Sequence, residues 1–171
     1  NIGLVLPFNF LSQDGRKQAK RFGNLSENLS CDLEVAGYRI LNTEDGKVLE
    51  FGIKFYDTLT FWQPCDVTVQ FDNNDDGVTD QELVGIIGSY ISGYQGGVQS
   101  VLMDAKLTRE LRKEFELALG TEKPIEENYV TAIQGALPFT FFDHSTVSIL
   151  RVELSKLKLN NSQFLSCFLS I

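Results

Sequence analysis

Apolar and polar residues alternate along much of the chain, and this period of two predicts β-strands rather than helices. The segment "CDVTVQF" (65–71) alternates most cleanly and places its two valines and its phenylalanine on one face. The segments 31–41 and 48–61 flank "NTEDGK", in which the Asp-Gly pair predicts a hairpin turn. Further strands are predicted in 82–93, in 100–107 and in the segments "YVTAIQ", "LPFTFF", "TVSILRVEL" and "FLSCFLSI".

One segment departs from this pattern, because "LTRELRKEFELALG" (107–120) has apolar residues at helical spacing. Leu107, Leu111, Phe115 and Leu119 lie four residues apart, which predicts one short helix near 107–119; a long charged strand is the alternative. Strands at roughly regular intervals, glycine-rich turns and no alternation of strands with helices predict an all-β fold. The expected architecture is an antiparallel β-sandwich or a jelly-roll-like barrel.

The first 29 residues differ from the rest in composition. The stretch 11–29 is polar and has a cluster of basic residues between Arg16 and Arg21, which is typical of a loop or linker. The sequence therefore predicts an N-terminal extension over 1–29 and one β-sandwich domain over 30–171. With 171 residues and 43% hydrophobic residues, the chain can bury a sizeable core.

The net charge of −8, from 15 basic and 23 acidic residues, limits the classes of partner. A nucleic-acid partner is not expected, since binding to phosphates needs a basic face. No uninterrupted apolar run of about 18 residues is present, so no membrane span is expected either. Cys31, Cys65 and Cys167 lack the paired spacing of a metal site, and both one disulfide with a free thiol and three buried thiols remain open.

Negative charge is concentrated in "FDNNDDGVTDQEL" (71–83), where five acidic side chains fall within eleven positions, from Asp72 to Glu82. Like charges at this density repel one another unless a cation or solvent separates them. The spacing of the oxygen donors matches a linear Ca²⁺ loop, in which alternate positions converge on the ion. The predicted ligands are the side chains of Asp72, Asn74, Asp76 and Asp80 and the main-chain carbonyl of Val78.

Gly77 is expected to permit the sharp turn that such a loop needs. Hard oxygen donors with no interleaved His or Cys favour Ca²⁺ over zinc or copper, and Mg²⁺ fits poorly because it prefers a smaller octahedron. The alternative is a solvated Asp/Asn/Gly turn that joins two strands.

The loop departs from an EF-hand in two respects. Position 12 is Leu83 rather than a bidentate Glu, and the flanking segments are predicted strands rather than helices. The sequence thus predicts a structural Ca²⁺ site without the conformational switch of an EF-hand sensor. Thr79 and Gln81 are expected to face solvent, and Asp75 is expected to point outward.

No catalytic site is predicted. The single histidine, His144, lies between Asp143 and Ser145, but adjacent residues of an extended chain point to opposite faces and cannot form a hydrolase triad. The nucleophile motif Gly-x-Ser-x-Gly does not occur in the sequence. His144 is therefore expected to lie in a turn, and the chain is not expected to be an enzyme.

The order of these features resembles a known family. A strand pair, "WQP" (62–64), a strand, the D-x-N-x-D-G-V-x-D loop, an "ELVG" strand and then "DHSTVSIL" are similar to the β-sandwich modules at the C-terminus of secreted bacterial subtilisin-like proteases. In those modules "DTDGDGVPDY" takes the place of 72–81, and "NST" takes the place of 144–146. The resemblance covers roughly 30–171, and it departs at Gln81 and at the charged insert 108–128.

The resemblance implies a non-catalytic, Ca²⁺-stabilised accessory domain of a secreted or cell-surface protein. Its partner would be a parent protease domain or an extracellular polymer or other cell-surface ligand. The alternative is a stand-alone carbohydrate-binding or adhesin-type module, for which Tyr56, Phe61 and Trp62 could form an aromatic platform. A hydrolase with a dispersed active site is a third alternative.

Overall fold

The computed structural model describes residues 7–15, 21–22, 25–26, 32–59, 67–87, 97–118, 131–141, 144–158 and 166–170. Most of these residues form β-strands, and the fold predicted from the alternation is confirmed. The strands are β1 (Asn9–Gln13), β2 (Arg21–Phe22), β3 (Leu25–Ser26), β4 (Leu33–Thr43), β5 (Gly46–Leu59), β6 (Thr68–Asp72), β7 (Gln81–Ile87), β8 (Val98–Asp104), β9 (Ile133–Pro138), β10 (Thr140–Phe141), β11 (Ser145–Glu153) and β12 (Ser166–Ser170).

Two five-stranded antiparallel sheets form the body of the protein. Sheet I has the strand order β1-β4-β5-β11-β10, and sheet II has the order β12-β6-β7-β8-β9. The short strands β2 and β3 pair only with each other among the described residues. In each sheet a strand from late in the sequence pairs with one from much earlier, β11 with β5 and β12 with β6. Residues far apart in sequence therefore hold each sheet together.

The core lies between the two sheets and is built from the alternation seen in the sequence. Sheet I contributes Phe51, Ile53 and Phe55 from β5, and sheet II contributes Val69 and Phe71 from β6; all five are at most 3% exposed. The rings of Phe51 and Phe71 meet across the two layers with their centroids 5.8 Å apart. Removal of these side chains from water is the main source of stability in such a sandwich.

The one α-helix among the described residues, α1 (Ala105–Ala118), confirms the predicted helix but begins two residues earlier than expected, and a 3-10 turn covers Leu154–Lys156. It follows β8 without a loop because Asp104 caps it: Oδ1 of Asp104 accepts a hydrogen bond from the Leu107 N–H at 3.0 Å. Leu107 and Leu111 pack on the outer face of sheet II against Val101 and Met103. The side chain of Phe115 and the whole of Leu119, which were expected on the same stripe, lie outside the described residues.

The predicted hairpin is present between β4 and β5. Thr43 pairs with Gly46, so Glu44 and Asp45 alone form the turn, and Gly46 has a φ of 133° that favours glycine. The turn is fully exposed.

The N-terminal segment contributes to sheet I. Residues 9–13, within the predicted extension, form β1 and pair with β4. Beside β1, Phe8 lies over the paired glycines Gly37 and Gly52, with its ring on Gly52. An added Cβ would meet the Asn9 carbonyl oxygen at 2.7 Å from Gly37 and ring atoms of Phe8 at 3.0 Å from Gly52. The Arg39 guanidinium stacks over the same ring, 4.3 Å from its centroid.

Candidate metal centre

The acidic loop, residues 72–80, joins β6 to β7 at one end of sheet II. Phe71 and Gln81 are directly paired across these strands, so the loop spans nine residues where two would be enough for a hairpin. Its middle residues, 74–78, are exposed, whereas Asp72 and Asn73 are each only 3% exposed. The loop therefore has a buried start, Asp72 and Asn73, and an exposed middle.

Asp72 anchors the loop from that buried start. Its Oδ2 accepts a hydrogen bond from the Gly77 N–H at 2.7 Å, and its Oδ1 accepts from the N–H groups of Asp76 at 3.2 Å and Asn74 at 3.3 Å. Although desolvation of this carboxyl alone would raise its pKa, the backbone N–H groups around it hold the pKa of Asp72 below the ordinary value of 3.8. The carboxylate is thus kept ionised and fixed in one position.

Successive side chains then turn the chain at every second residue. The Oδ1 of Asn74 accepts from the Asp76 N–H at 3.0 Å, and the Oδ1 of Asp76 accepts from the Val78 N–H at 2.8 Å. Because Asn and Asp side chains mimic the backbone of a turn in this way, the alternation of oxygen donors read from the sequence is also an alternation of turns.

Two residues complete the turn with left-handed backbone. Gly77 has a φ of 81°, as expected for the sharp bend, and Asp75 has a φ of 61°. Asp75 is exposed, as predicted. The left-handed backbone of this stretch therefore falls on residues that tolerate it, Asp75 and Gly77.

Asp80 closes the loop against its own start. Its Oδ2 accepts from the Asn73 N–H at 2.8 Å, and its N–H donates to the Phe71 carbonyl at 2.8 Å. Its carbonyl accepts from the N–H of Ala105, the first residue of α1, at 2.9 Å. Asp80 thus connects three elements, β6, the loop and α1.

The donors suit a hard cation in kind. Each carboxylate can accept about four hydrogen bonds or metal contacts, so Asp76 and Asp80 keep lone pairs for a cation, whereas backbone N–H groups already occupy most of the acceptor positions of Asp72. In the described part of the chain, however, no three His, Cys, Asp or Glu side chains lie close enough together to hold a metal ion. A cation would therefore have to draw Asp76 and Asp80 toward the fixed carboxylate of Asp72.

The expectation that Gln81 faces solvent is wrong. Gln81 is fully buried, because it is the first residue of β7 and its side chain points to the same face as that of Leu83, into the space between the sheets. Its Oε1 accepts from Nδ2 of Asn73 at 2.8 Å and from the Lys158 N–H at 3.0 Å. Its Nε2 donates to the Lys156 carbonyl at 3.1 Å and to Oε1 of Gln134.

Sequence reasoning missed this buried amide because a Gln after an acidic run is usually solvated. The one signal was the period of two that runs back from Leu83, which places position 81 on the buried face. Gln134 could not have been found, since it reaches Gln81 only through a β-bulge: Met103 pairs with Ile133 and Leu102 with Gly135, so Gln134 is the extra residue.

The other predicted residues do not form a site among the described residues. His144 lies in a turn with a φ of 58°, and the hydroxyl of Ser145 donates to the Val147 carbonyl and accepts from the Val147 N–H. Tyr56 donates its hydroxyl hydrogen to the Asp14 carbonyl at 2.8 Å. Phe61, Trp62, Asp143, Cys31 and Cys65 lie outside the described residues, and of Cys167 the backbone alone, in β12, is described.

No helix in the described part of the chain is long and apolar enough to cross a membrane. Comparisons of the chain with models of protein families, with curated proteins and with solved structures found no match. The resemblance to accessory modules of subtilisin-like proteases therefore stays a prediction.

Proposed function

We propose that the protein is a non-catalytic β-sandwich domain stabilised by one Ca²⁺ ion in the acidic loop. The observation that carries the proposal is the fixed, buried carboxylate of Asp72 at the base of a loop whose oxygen donors recur at every second residue. Asp72, Asn74, Asp76 and Asp80 would hold the ion with their side chains, and Val78 would hold it with its carbonyl. The ion supplies charge neutralisation and a link between the two ends of the loop.

The length of the loop supports the same proposal. A solvated turn needs two residues between Phe71 and Gln81, and the nine present add backbone entropy cost on ordering. A cation that neutralises three carboxylates offsets both this cost and their mutual repulsion. As an accessory domain of a secreted or cell-surface protein, the sandwich would bind or orient a partner and perform no chemistry itself.

The test is a Ca²⁺ titration of the whole chain by calorimetry, with thermal unfolding at each metal concentration. At a free Ca²⁺ concentration about 100 times Kd, mass action contributes about 2.7 kcal/mol, which raises Tm by roughly 5–10 °C for a chain of this length. Mg²⁺ at the same concentration is expected to have a much smaller effect because it keeps its waters.

Two variants make the titration specific. Asp76→Asn removes one anionic donor at nearly constant shape and is expected to weaken Ca²⁺ binding by about tenfold or more. Asp45→Asn makes the same change in the exposed hairpin turn and is expected to leave binding unchanged. Equal responses of the two variants, or no heat from the unmodified chain, would refute the calcium site.

A further inference from the structure

The acidic loop is connected to α1 by a set of hydrogen bonds, most of them buried or half-buried, that no metal is needed to form. We call this set the Gln81 network; it consists of Asn73, Gln81, Asp104, Gln134, Lys156 and Lys158. Its centre is the fully buried amide of Gln81, which makes four hydrogen bonds to three separate segments of the chain: the loop, β9 and residues 156–158. An unpaired polar group destabilises the folded protein more when it is buried than when it is exposed. Loss of any one of these hydrogen bonds is therefore expected to lower the free energy of unfolding.

The network reaches α1 through its capping residue. Nε2 of Gln134 donates to Oδ2 of Asp104 at 3.0 Å, and Nζ of Lys158 lies 3.3 Å from the same oxygen. The other oxygen of Asp104 caps the helix at the Leu107 N–H, and the Asp104 carbonyl accepts from the Thr108 hydroxyl at 2.7 Å. The chain of contacts from Asn73 in the loop to the first turn of the helix is therefore continuous.

A second connection is made by the backbone of the loop. The carbonyl of Asp80 accepts from the first N–H of α1, that of Ala105, and the carbonyl of Thr79 accepts from Nη1 of Arg109 at 3.1 Å. Both acceptors are backbone atoms of the acidic loop, so their positions depend on the fold of the loop. The start of the helix is thus held by the backbone of the loop, through the buried Ala105 and the exposed Arg109, and by the Gln81 network.

From these contacts we infer that the acidic loop, the first two turns of α1 and residues 156–158 open and close as one cooperative unit. Under the proposed function, on which this part of the inference rests, Ca²⁺ binding in the loop stabilises the docked helix. Coupling of this kind typically changes an equilibrium by about 5–150-fold. The loop then regulates a surface that lies outside the metal site.

The surface that responds is basic, in contrast to the chain as a whole. Over 105–113, the stretch of α1 for which side-chain exposure is described, the exposed residues are four cationic ones and one acidic one, Glu110, in a protein of net charge −8. The four are Lys106, Arg109, Arg112 and Lys113. Cations in the first turns of a helix oppose the helix dipole, so this end of α1 depends on its cap and on the loop to stay folded.

The test is hydrogen exchange of the full chain, read by mass spectrometry in peptides that cover the loop, 104–113 and 154–158. Asp72→Ala removes the anchor of the loop without touching the network. It is expected to raise exchange about fivefold or more not only in the loop but also in 104–113. If only the loop exchanges faster, the cooperative unit is refuted, whatever the response to Ca²⁺.

Gln81→Leu removes the centre of the network and is expected to raise exchange in 104–113 and in 154–158 together. The matched control is Gln70→Leu on neighbouring β6, a half-buried position outside the network, which is expected to change neither peptide. Should Gln81→Leu fail to fold, Gln134→Leu removes one arm of the network, and an unchanged 104–113 in that variant counts against the inference.

Added Ca²⁺ separates the two proposals. If Ca²⁺ neither binds nor protects the loop while Asp72→Ala still raises exchange in 104–113, the metal site fails and the coupling stands. If Ca²⁺ protects the loop but leaves 104–113 unchanged in the unmodified chain, the metal site stands and the coupling fails.

Discussion

The hairpin turn at Glu44–Asp45 and the acidic loop at 72–80 make the same kind of connection with very different means. Both join neighbouring antiparallel strands, and both contain Asp-Gly with the glycine at positive φ. The hairpin uses two exposed residues, whereas the loop uses nine, with its base buried and its carboxylates bonded to its own backbone.

The hairpin has only what is needed to reverse the chain, whereas the acidic loop has further features. Two residues followed by a glycine are enough to reverse the chain, as the hairpin demonstrates. The additional acidic residues, the burial of Asp72 and the ties to α1 serve no purpose in strand reversal. These features are the ones on which both proposals rest.

The largest expected effect on stability and on Ca²⁺ response comes from giving the acidic loop the length of the hairpin turn. Replacing residues 72–80 by Asn-Gly gives β6 and β7 the short connection that β4 and β5 have. We expect a folded sandwich whose Tm no longer responds to Ca²⁺ and whose α1 exchanges faster, because the ties from Asp80 and Thr79 are gone. A Tm that still rises on addition of Ca²⁺, in unfolding followed by circular dichroism, would place the cation elsewhere.

An intermediate effect is expected from the two glycines. Gly46→Ala and Gly77→Ala each place a Cβ on left-handed backbone, which costs about 1–2 kcal/mol of unfolding free energy. Only Gly77→Ala is expected also to weaken Ca²⁺ binding, since it distorts the loop. Urea unfolding with and without Ca²⁺ measures both quantities, and Gly15→Ala, at an open position, is the control.

The smallest expected effect is that of acid. The pKa of Asp104 is held below its ordinary value of 3.8 by the Leu107 N–H and by Lys158, and the pKa of Asp72 is lowered by the loop N–H groups despite its desolvation. A carboxyl whose folded pKa is depressed stabilises the fold above its unfolded pKa and loses that contribution as the pH falls through the folded one. Stability should therefore hold down to about pH 4 and decline below it.

Asp45→Asn in the exposed hairpin should leave that acid profile unchanged, whereas Asp104→Asn should flatten it. Thermal unfolding between pH 2 and pH 6 distinguishes the two. A profile that Asp104→Asn does not alter would show that the cap contributes nothing through its charge.

The sequence predicted the sandwich well because its strands are amphipathic. The alternation in 65–71 identifies the buried residues Val67, Val69 and Phe71 correctly, and the Asp-Gly pair identifies the hairpin. What it could not supply is the pairing of β11 with β5 and of β12 with β6, since register between distant strands depends on how the two faces pack and not on any local signal.

In the candidate site, too, some features depend on local sequence and others on the packing of the two sheets. The loop turns at Asp72, Asn74, Asp76 and Gly77 follow from local side-chain to backbone bonds, which are typical of the Asp/Asn/Gly turn that the sequence offered as the alternative to a metal loop. The network behind it depends on the burial of Gln81 and on a bulge at Gln134, both of which arise only when the sheets come together. The protease-accessory resemblance and the extracellular location remain predictions.

The contact of Phe8 with the paired glycines Gly37 and Gly52 determines where a shortened form of this protein can begin. The aromatic ring in this contact comes from position 8, ahead of the boundary drawn at residue 30. A fragment that begins at residue 30 would expose an apolar groove and the unpaired backbone N–H and C=O groups at the edge of β4. Both features favour association with neighbouring molecules. Fragments for solution work should therefore begin no later than residue 7.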